Sequence, residues 1–166
     1  MSSVSPASPA SLPQSPLAPE PERASDAGVS VGIVLVSHSR ALAEAAMDLA
    51  RRLIVAVDVP VELAAGLADG GLGTDPGAVV EAVERLAERC EGVLVLADLG
   101  SGVMSAEMAL EMLDPALAER TRLSAAPFVE GLLGAYGAAG IGKDLQAVAA
   151  EADGAAEAKR SQVAAF

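Results

Sequence analysis

From residue 31 onward the apolar positions alternate between continuous runs and helically spaced ones. Val31-Gly-Ile-Val-Leu-Val36 is a continuous, β-branched run of the kind found in strands covered on both faces, and it predicts a first strand. After Ser37-His38-Ser39, the residues Leu42, Ala46, Leu49, Ala50 and Leu53 recur at helical spacing and predict a first helix, with Ser39 placed to cap it. Val61-Glu-Leu-Ala-Ala65 predicts a short second strand that ends in the glycine-rich loop Asp69-Gly-Gly-Leu-Gly-Thr-Asp75. Asp75 and Pro76 combine a helix cap with proline at the first helical position, and Val79, Val80, Val83 and Leu86 fall on one face of a second helix. Gly92-Val-Leu-Val-Leu-Ala97 predicts a third buried strand, closed by Asp98-Leu-Gly-Ser101. A helix from about Val103 to Leu113 follows, and its methionines read as core filler. Arg122-Leu-Ser-Ala125 predicts a weak fourth strand, Pro127 opens a helix through about Ala138, and a last helix runs from Lys143 to about Ala155 before a polar tail.

Strands alternating with helices at this spacing imply parallel βαβ units. The expected fold is a single doubly wound, mainly parallel four-stranded α/β sheet with helices on both faces. Ligands bind such sheets at the carboxyl ends of the strands, in the crevice where the strand order reverses. Three polar clusters fall at those ends: His38 after strand one, Gly73-Thr-Asp75 after strand two, and Asp98-Leu-Gly-Ser101 after strand three. With strand order 2-1-3-4, strands one and three are neighbours at the switch point, and His38 faces Asp98 across the crevice.

Composition sets the limits of this picture. Residues 1–28 are rich in Ser, Pro and Ala and hold six of the ten prolines, so they are expected to form a disordered leader. The domain is expected over residues 29–152, with 153–166 as a polar tail. A chain of 166 residues that is 52% hydrophobic suits one well-buried core. Its net charge of −12 argues against a nucleic-acid partner, because phosphate backbones are bound through clustered positive charge. Cys90 is the sole cysteine, which excludes an intramolecular disulfide and fits a reducing cytoplasm. Neither a secretory signal nor a membrane span is legible. With no Trp, one Tyr and two Phe, the chain lacks an aromatic platform for stacking bases or sugars.

The chemistry concentrates on His38, the only histidine. It lies where a buried strand meets a helix start, flanked by the small hydroxyl residues Ser37 and Ser39, with the N–H groups and positive dipole end of the first helix nearby. A neutral imidazole is a competent nucleophile near neutral pH, and one histidine suffices to carry a phosphoryl group. Asp98 is placed to hold the second ring nitrogen, fix the tautomer and stabilise positive charge on the ring; it is equally placed to cap the third helix. Gly100, Ser101 and Thr74 are candidate donors to phosphate oxygens. Asp75 is better explained as a cap than as an acid.

Competing chemistries lack their residues. No Gly-x-x-x-x-Gly-Lys-Ser/Thr motif exists, and Gly70-Gly-Leu-Gly73 does not have Gly-x-Gly-x-x-Gly spacing, so direct nucleotide binding is unsupported. Tetrapyrrole chelatases also carry a histidine after strand one, but they call for a second histidine, and no stable metal site is expected. A receiver domain phosphorylated on aspartate would need acidic magnesium ligands after strand one, which disfavours Asp98 as the phosphoacceptor.

Four segments, Val34-Leu-Val-Ser-His-Ser39, Gly73-Thr-Asp75, Val93-Leu-Val-Leu-Ala-Asp-Leu-Gly-Ser101 and Ala125-Ala-Pro-Phe-Val-Glu-Gly131, together resemble the phosphoryl-carrier subunits of phosphoenolpyruvate-dependent dihydroxyacetone kinase, a branch of the mannose-class enzyme IIA domains. The resemblance runs from about Val29 to Ala152 in the same order and spacing. It implies a cytoplasmic phosphotransferase subunit (phosphoenolpyruvate–glycerone phosphotransferase) in a relay from enzyme I to the phosphocarrier HPr and then to His38. The phosphate would pass on to ADP held with magnesium by a nucleotide-binding partner subunit, and dihydroxyacetone would be phosphorylated on a third subunit. It further implies that His38 is the tele-phosphohistidine, that Asp98 orients it, that the chain itself binds no cofactor, and that it is a homodimer; from their chemistry and position, Ser37, Ser39, Thr74, Gly100 and Ser101 are the expected phosphate-binding residues. Some members continue into HPr-like and enzyme-I-like domains, and this chain is expected to rely on separate upstream proteins. The alternatives are a mannose-class sugar-transport enzyme IIA and a non-catalytic regulator that senses phosphate status through the same fold. Ser39 and the Asp-Leu-Gly-Ser run favour the kinase subunit.

Overall fold

The computed structural model describes residues 30–55 and 58–165, and the expected leader over residues 1–28 lies outside them. The elements are β1 (Val31–Ser37), α1 (Arg40–Leu53), β2 (Val61–Ala65), α2 (Pro76–Ala87), β3 (Gly92–Ala97), α3 (Gly100–Met112), α4 (Pro115–Ala118), β4 (Thr121–Ser124), α5 (Phe128–Gly140) and α6 (Leu145–Ala164). The four strands form one sheet in the order β2-β1-β3-β4, every pairing parallel, with Ile33 opposite Val61, Val31 opposite Gly92 and Val93 opposite Thr121.

The unbroken apolar character of β1 and β3 follows from burial on both faces. Val31, Ile33 and Leu35, with Leu94 and Leu96, pack against α1, α5 and α6; Val34 and Val36, with Val93, Val95 and Ala97, pack against α2 and α3. Strand alternation thus feeds two separate cores from the same pair of strands. Leu96 is fully buried in the first of them. Leu96→Ala is expected to lower the unfolding free energy by about 2–5 kcal/mol, measured by chemical denaturation.

Side-chain caps set several helix starts as the sequence predicts. Ser39 accepts the Leu42 N–H at 3.2 Å for α1, and Asp75 accepts the Gly77 N–H at 2.9 Å for α2 with Pro76 in the first helical position. The same Asp-Pro signal recurs at Asp114 and Pro115, where it opens the short helix α4 that the apolar pattern does not reveal.

Other expectations are corrected. The buried face of α1 is Ala43, Ala46, Met47 and Ala50, whereas Leu42, Leu49 and Leu53 are exposed. Alanine suits both a close helix–sheet contact and an exposed helix position, so apolar spacing alone leaves the rotation of this Ala-rich helix open. Met104, Met108 and Met112 are not core filler: they are 63%, 54% and 61% exposed, while Ser105, Ala106 and Ala109 of the same helix are buried. The last helix does not stop near Ala155. It runs to Ala164 through the expected polar tail, where Lys159 pairs with Glu130 of α5 and Glu157 pairs with Arg160 one turn on. Among the described residues no helix is long and apolar enough to cross a membrane.

Candidate active site

His38 directly follows β1 and Asp98 directly follows β3, and parallel pairing of these adjacent strands brings the two side chains together at the carboxyl end of the sheet. The order reverses here, since β1 connects outward to β2 on one side while β3 leads to β4 on the other. The backbone is clamped from the loop after β2: the Gly66 N–H donates to the Ser37 carbonyl at 3.0 Å and the Gly73 N–H to the His38 carbonyl at 2.9 Å. Gly73 holds a φ of 157°, a backbone conformation that side chains rarely adopt, so glycine lets the loop close on His38.

Asp98 is the centre of the hydrogen-bond network. Its Oδ2 accepts the His38 backbone N–H and the Ser37 hydroxyl, each at 2.9 Å, and its Oδ1 accepts the Leu99 N–H at 2.7 Å and lies 2.9 Å from His38 Nδ1. The Asp98 side chain is 5% exposed and the His38 side chain 25%. Burial pushes the Asp98 carboxyl up, but the hydrogen bonds from the His38 backbone and ring, from Ser37 and from Leu99 outweigh it and hold the group below the usual aspartate value. A carboxylate only accepts hydrogen bonds, so Nδ1 is the protonated ring nitrogen and Nε2 carries the lone pair. The Ser101 hydroxyl, 2.5 Å from Nε2, is then the donor to it.

The depressed value ties Asp98 to acid stability. Because the folded-state pKa lies below the unfolded one, the ionised carboxylate contributes stability that is complete above the ordinary aspartate range and is lost as pH falls through the folded value. The denaturation midpoint is expected to decline on acidification below that range, and Asp98→Ala to show a shallower acid limb than the wild type. An equally steep limb in the variant would assign the effect to other carboxylates.

The remaining sequence-predicted residues divide by position. Ser101 and Gly100 lie in the first turn of α3, which starts three residues earlier than the apolar pattern suggests, and this turn meets Nε2. The first turn of α3 thus lies against the ring nitrogen. Thr74 shares a hydrogen bond with Ser105 at 2.8 Å and approaches the Ser101 carbonyl at 3.5 Å, so it braces that turn. Ser37 is fully buried and bound to Asp98, which makes it a support for the carboxylate and removes it from the face of Nε2. Ser39 uses its hydroxyl oxygen to cap α1. Asp98 does not cap α3: the cap residue is Leu99, with no side-chain cap bond.

Two residues escape the sequence reading. Ser105 holds Thr74, and a Cβ on Gly102 would lie 3.0 Å from Asp98 Oδ1, so the glycine lets α3 sit against the carboxylate. A glycine inside a helix start, which destabilises it by about 1 kcal/mol relative to alanine, was the available signal for close packing.

Fold and site define a small parallel α/β domain that presents one carboxylate-held histidine at its switch point. Residues 32–149 match the EIIA-man family, described as PTS system fructose IIA component, and the chain belongs to that family. It is 44% identical over 135 residues to the PEP-dependent dihydroxyacetone kinase phosphoryl donor subunit DhaM of Klebsiella michiganensis, a match covering 80% of this chain and 28% of that protein. The chain thus spans less than a third of that relative's length. It is 36% identical over 101 residues to the phosphoryl donor subunit DhaM of PEP-dependent dihydroxyacetone kinase 2 from Listeria innocua, covering 61% of this chain and 79% of that one. The crystal structure of the unknown-function protein EF1359 superimposes with a TM-score of 0.68 at 31% identity, over 75% of this chain and 93% of that one.

Proposed function

We propose that the chain is a cytoplasmic phosphohistidine carrier that takes phosphate from phospho-HPr onto Nε2 of His38 and passes it to ADP on a partner kinase subunit, where the ATP formed phosphorylates dihydroxyacetone. The observation that carries this reading is the Nδ1–H···Oδ1 bond from His38 to Asp98, 2.9 Å long, which leaves the Nε2 lone pair outward beside the first turn of α3. The kinship with DhaM phosphoryl donor subunits supports the kinase branch over sugar transport.

In the charging step the Nε2 lone pair attacks the phosphorus of the donor phosphohistidine, the donor P–N bond breaks, and its electron pair stays on the donor ring. No proton leaves Nε2. The proton stays on Nδ1, hydrogen-bonded to Asp98 Oδ1, and the carboxylate stabilises positive charge on the ring. The incoming phosphoryl group displaces the Ser101 hydroxyl from Nε2. That hydroxyl, with the free N–H groups of Gly100 and Ser101 at the positive end of α3, then serves the phosphoryl oxygens. In discharge, a β-phosphate oxygen of ADP attacks, the Nε2–P bond breaks, and the electron pair returns to Nε2. The nucleotide and its magnesium belong to the partner subunit, and this chain supplies only the phosphorylated imidazole. A homodimer fits the family.

The test is reconstitution. Incubated with enzyme I, HPr, phosphoenolpyruvate, ADP and the two DhaM-dependent kinase subunits, the chain is expected to support formation of dihydroxyacetone phosphate. No product in the presence of charged HPr and charged His38 would move the reading to a sugar-transport acceptor.

A further inference from the structure

Two consecutive residues of the loop between β2 and α2 hold opposite parts of the site. The Gly73 N–H donates to the His38 carbonyl at 2.9 Å, which fixes the backbone that carries the nucleophile. Thr74 reaches α3 instead: its hydroxyl lies 2.8 Å from the Ser105 hydroxyl and approaches the Ser101 carbonyl at 3.5 Å. The loop is itself tied down on both sides of this pair. The Gly66 N–H donates to the Ser37 carbonyl at 3.0 Å, Asp69 accepts the Gly71 N–H at 2.8 Å, and Asp75 accepts the Gly77 N–H where α2 begins.

The turn that Thr74 meets has little else to hold it. Side-chain bonds from Ser39, Asp75 and Asp144 cap α1, α2 and α6, whereas α3 starts after Leu99 with no side-chain cap bond. Its first residues are Gly100-Ser101-Gly102, and glycine weakens a helix because its backbone has more freedom to lose. In the uncharged protein Ser101 is also held by its own contact with Nε2. A phosphoryl group on Nε2 takes that place, so this contact ends when the phosphate arrives. Among the described residues, the hydrogen bonds that then still join the first two turns of α3 to another element are those of Thr74.

Proton counting gives the direction of the link. A threonine hydroxyl carries one proton and a carbonyl only accepts, so when Thr74 donates to the Ser101 carbonyl, Ser105 donates to Thr74 Oγ1. At 3.5 Å the first bond is long, and at 2.8 Å the second is of ordinary length, so Ser105 bears most of the link. Ser105 is 8% exposed, and water competes little for either hydroxyl there.

We infer that Thr74 is a positioning residue: through Ser105 it sets the depth at which the first turn of α3 stands against Nε2, and so the rate at which a phosphoryl group is taken up. The inference rests on the phosphocarrier reading above. The side-chain partners of the ring are Asp98 and Ser101, so Thr74 acts through the turn and not on the imidazole. With the turn at its proper depth, the Ser101 hydroxyl meets the phosphoryl oxygens during transfer; with the turn displaced, transfer slows although the donor still binds.

The experiment measures single-turnover phosphorylation of the full chain over a range of phospho-HPr concentrations, and in parallel its labelling by phosphoramidate, a small donor. Thr74→Val keeps the branched shape and removes the hydroxyl. It is expected to lower the maximal rate about tenfold, short of the roughly 100-fold that misplacing a reacting group by about 1 Å costs. The half-saturating phospho-HPr concentration stays unchanged, and phosphoramidate labelling falls by the same factor, because the fault lies at Nε2. Ser105→Ala is expected to give the same loss, and Thr74→Val/Ser105→Ala no more than either alone, as for two halves of one link. Thr74→Ser, which restores the hydroxyl without the methyl group, is expected to transfer close to the wild-type rate. Should Thr74→Val fail to fold, Ser105→Ala and Thr74→Ser carry the test. Wild-type rates without the hydroxyl link overturn the inference. So does a Thr74→Ser variant as slow as Thr74→Val or Ser105→Ala, which would assign the role to methyl packing, or a raised half-saturating concentration at an unchanged maximal rate, which would place Thr74 in the donor's contact surface. All three leave the carrier function standing, whereas a wild-type chain labelled by neither donor overturns that function itself.

Discussion

A His38→Gln variant incubated with enzyme I, HPr and phosphoenolpyruvate is expected to take up no acid-labile phosphate, while its thermal unfolding stays close to that of the wild type. The two halves of this expectation have separate causes. His38 is the chain's only histidine, so no second imidazole can stand in as a nitrogen nucleophile, and an amide nitrogen has no available lone pair. The loss of transfer is therefore complete rather than graded. Stability is spared because the ring is one quarter exposed and packs in neither buried core, and because the His38 backbone N–H keeps its bond to Asp98 whatever the side chain. Persistent acid-labile labelling of this variant would sink the central claim.

Asp98→Asn is expected to slow phosphoryl transfer about 100-fold or more, a loss comparable to that from misplacing a reacting group by about 1 Å. Each carboxylate oxygen accepts two hydrogen bonds, from the His38 N–H and Ser37 on one and from the Leu99 N–H and Nδ1–H on the other. An asparagine must turn an NH2 toward one of those pairs. Facing Nδ1, the NH2 makes that nitrogen an acceptor, moves the ring proton to Nε2 and removes the nucleophilic lone pair. Facing the His38 N–H, it opposes a backbone donor and displaces the loop that carries the ring. Either orientation also leaves a donor unpaired, so a lower denaturation midpoint accompanies the slower transfer. The informative comparison is single-turnover transfer from phospho-HPr across pH, since a tautomer fault lowers the rate at every pH where the site is folded. Wild-type rates would leave Asp98 with a structural role alone.

The corrections to α1 and α3 share one cause. Periodicity identifies which residues of a helix share a face, but which face meets the sheet is settled by contacts distant in sequence. In α1 the sheet takes Ala43, Ala46, Met47 and Ala50 and leaves Leu42, Leu49 and Leu53 outside; in α3 it takes Ser105, Ala106 and Ala109 and leaves the methionines outside. Small residues permit close helix–sheet approach, so in these two helices side-chain size does not mark the buried face. The extended α6 has a related origin, because the Lys159–Glu130 pair joins it to α5 beyond the point where its apolar pattern fades.

By itself the sequence determined the strands, their parallel pairing and the caps at Ser39 and Asp75, and it led to the meeting of His38 with Asp98 once the strand order was taken as 2-1-3-4. Those follow from local signals: continuous β-branched runs, Asp-Pro starts, and βαβ handedness that permits few topologies. Only the tertiary structure decided that Asp98 takes two donors on each oxygen, that Ser37 lies beneath it, that the first turn of α3 meets Nε2, and that a methionine row runs along the exposed face of α3. Each depends on how a helix is rotated and how closely it sits on the sheet, and no local pattern encodes that distance.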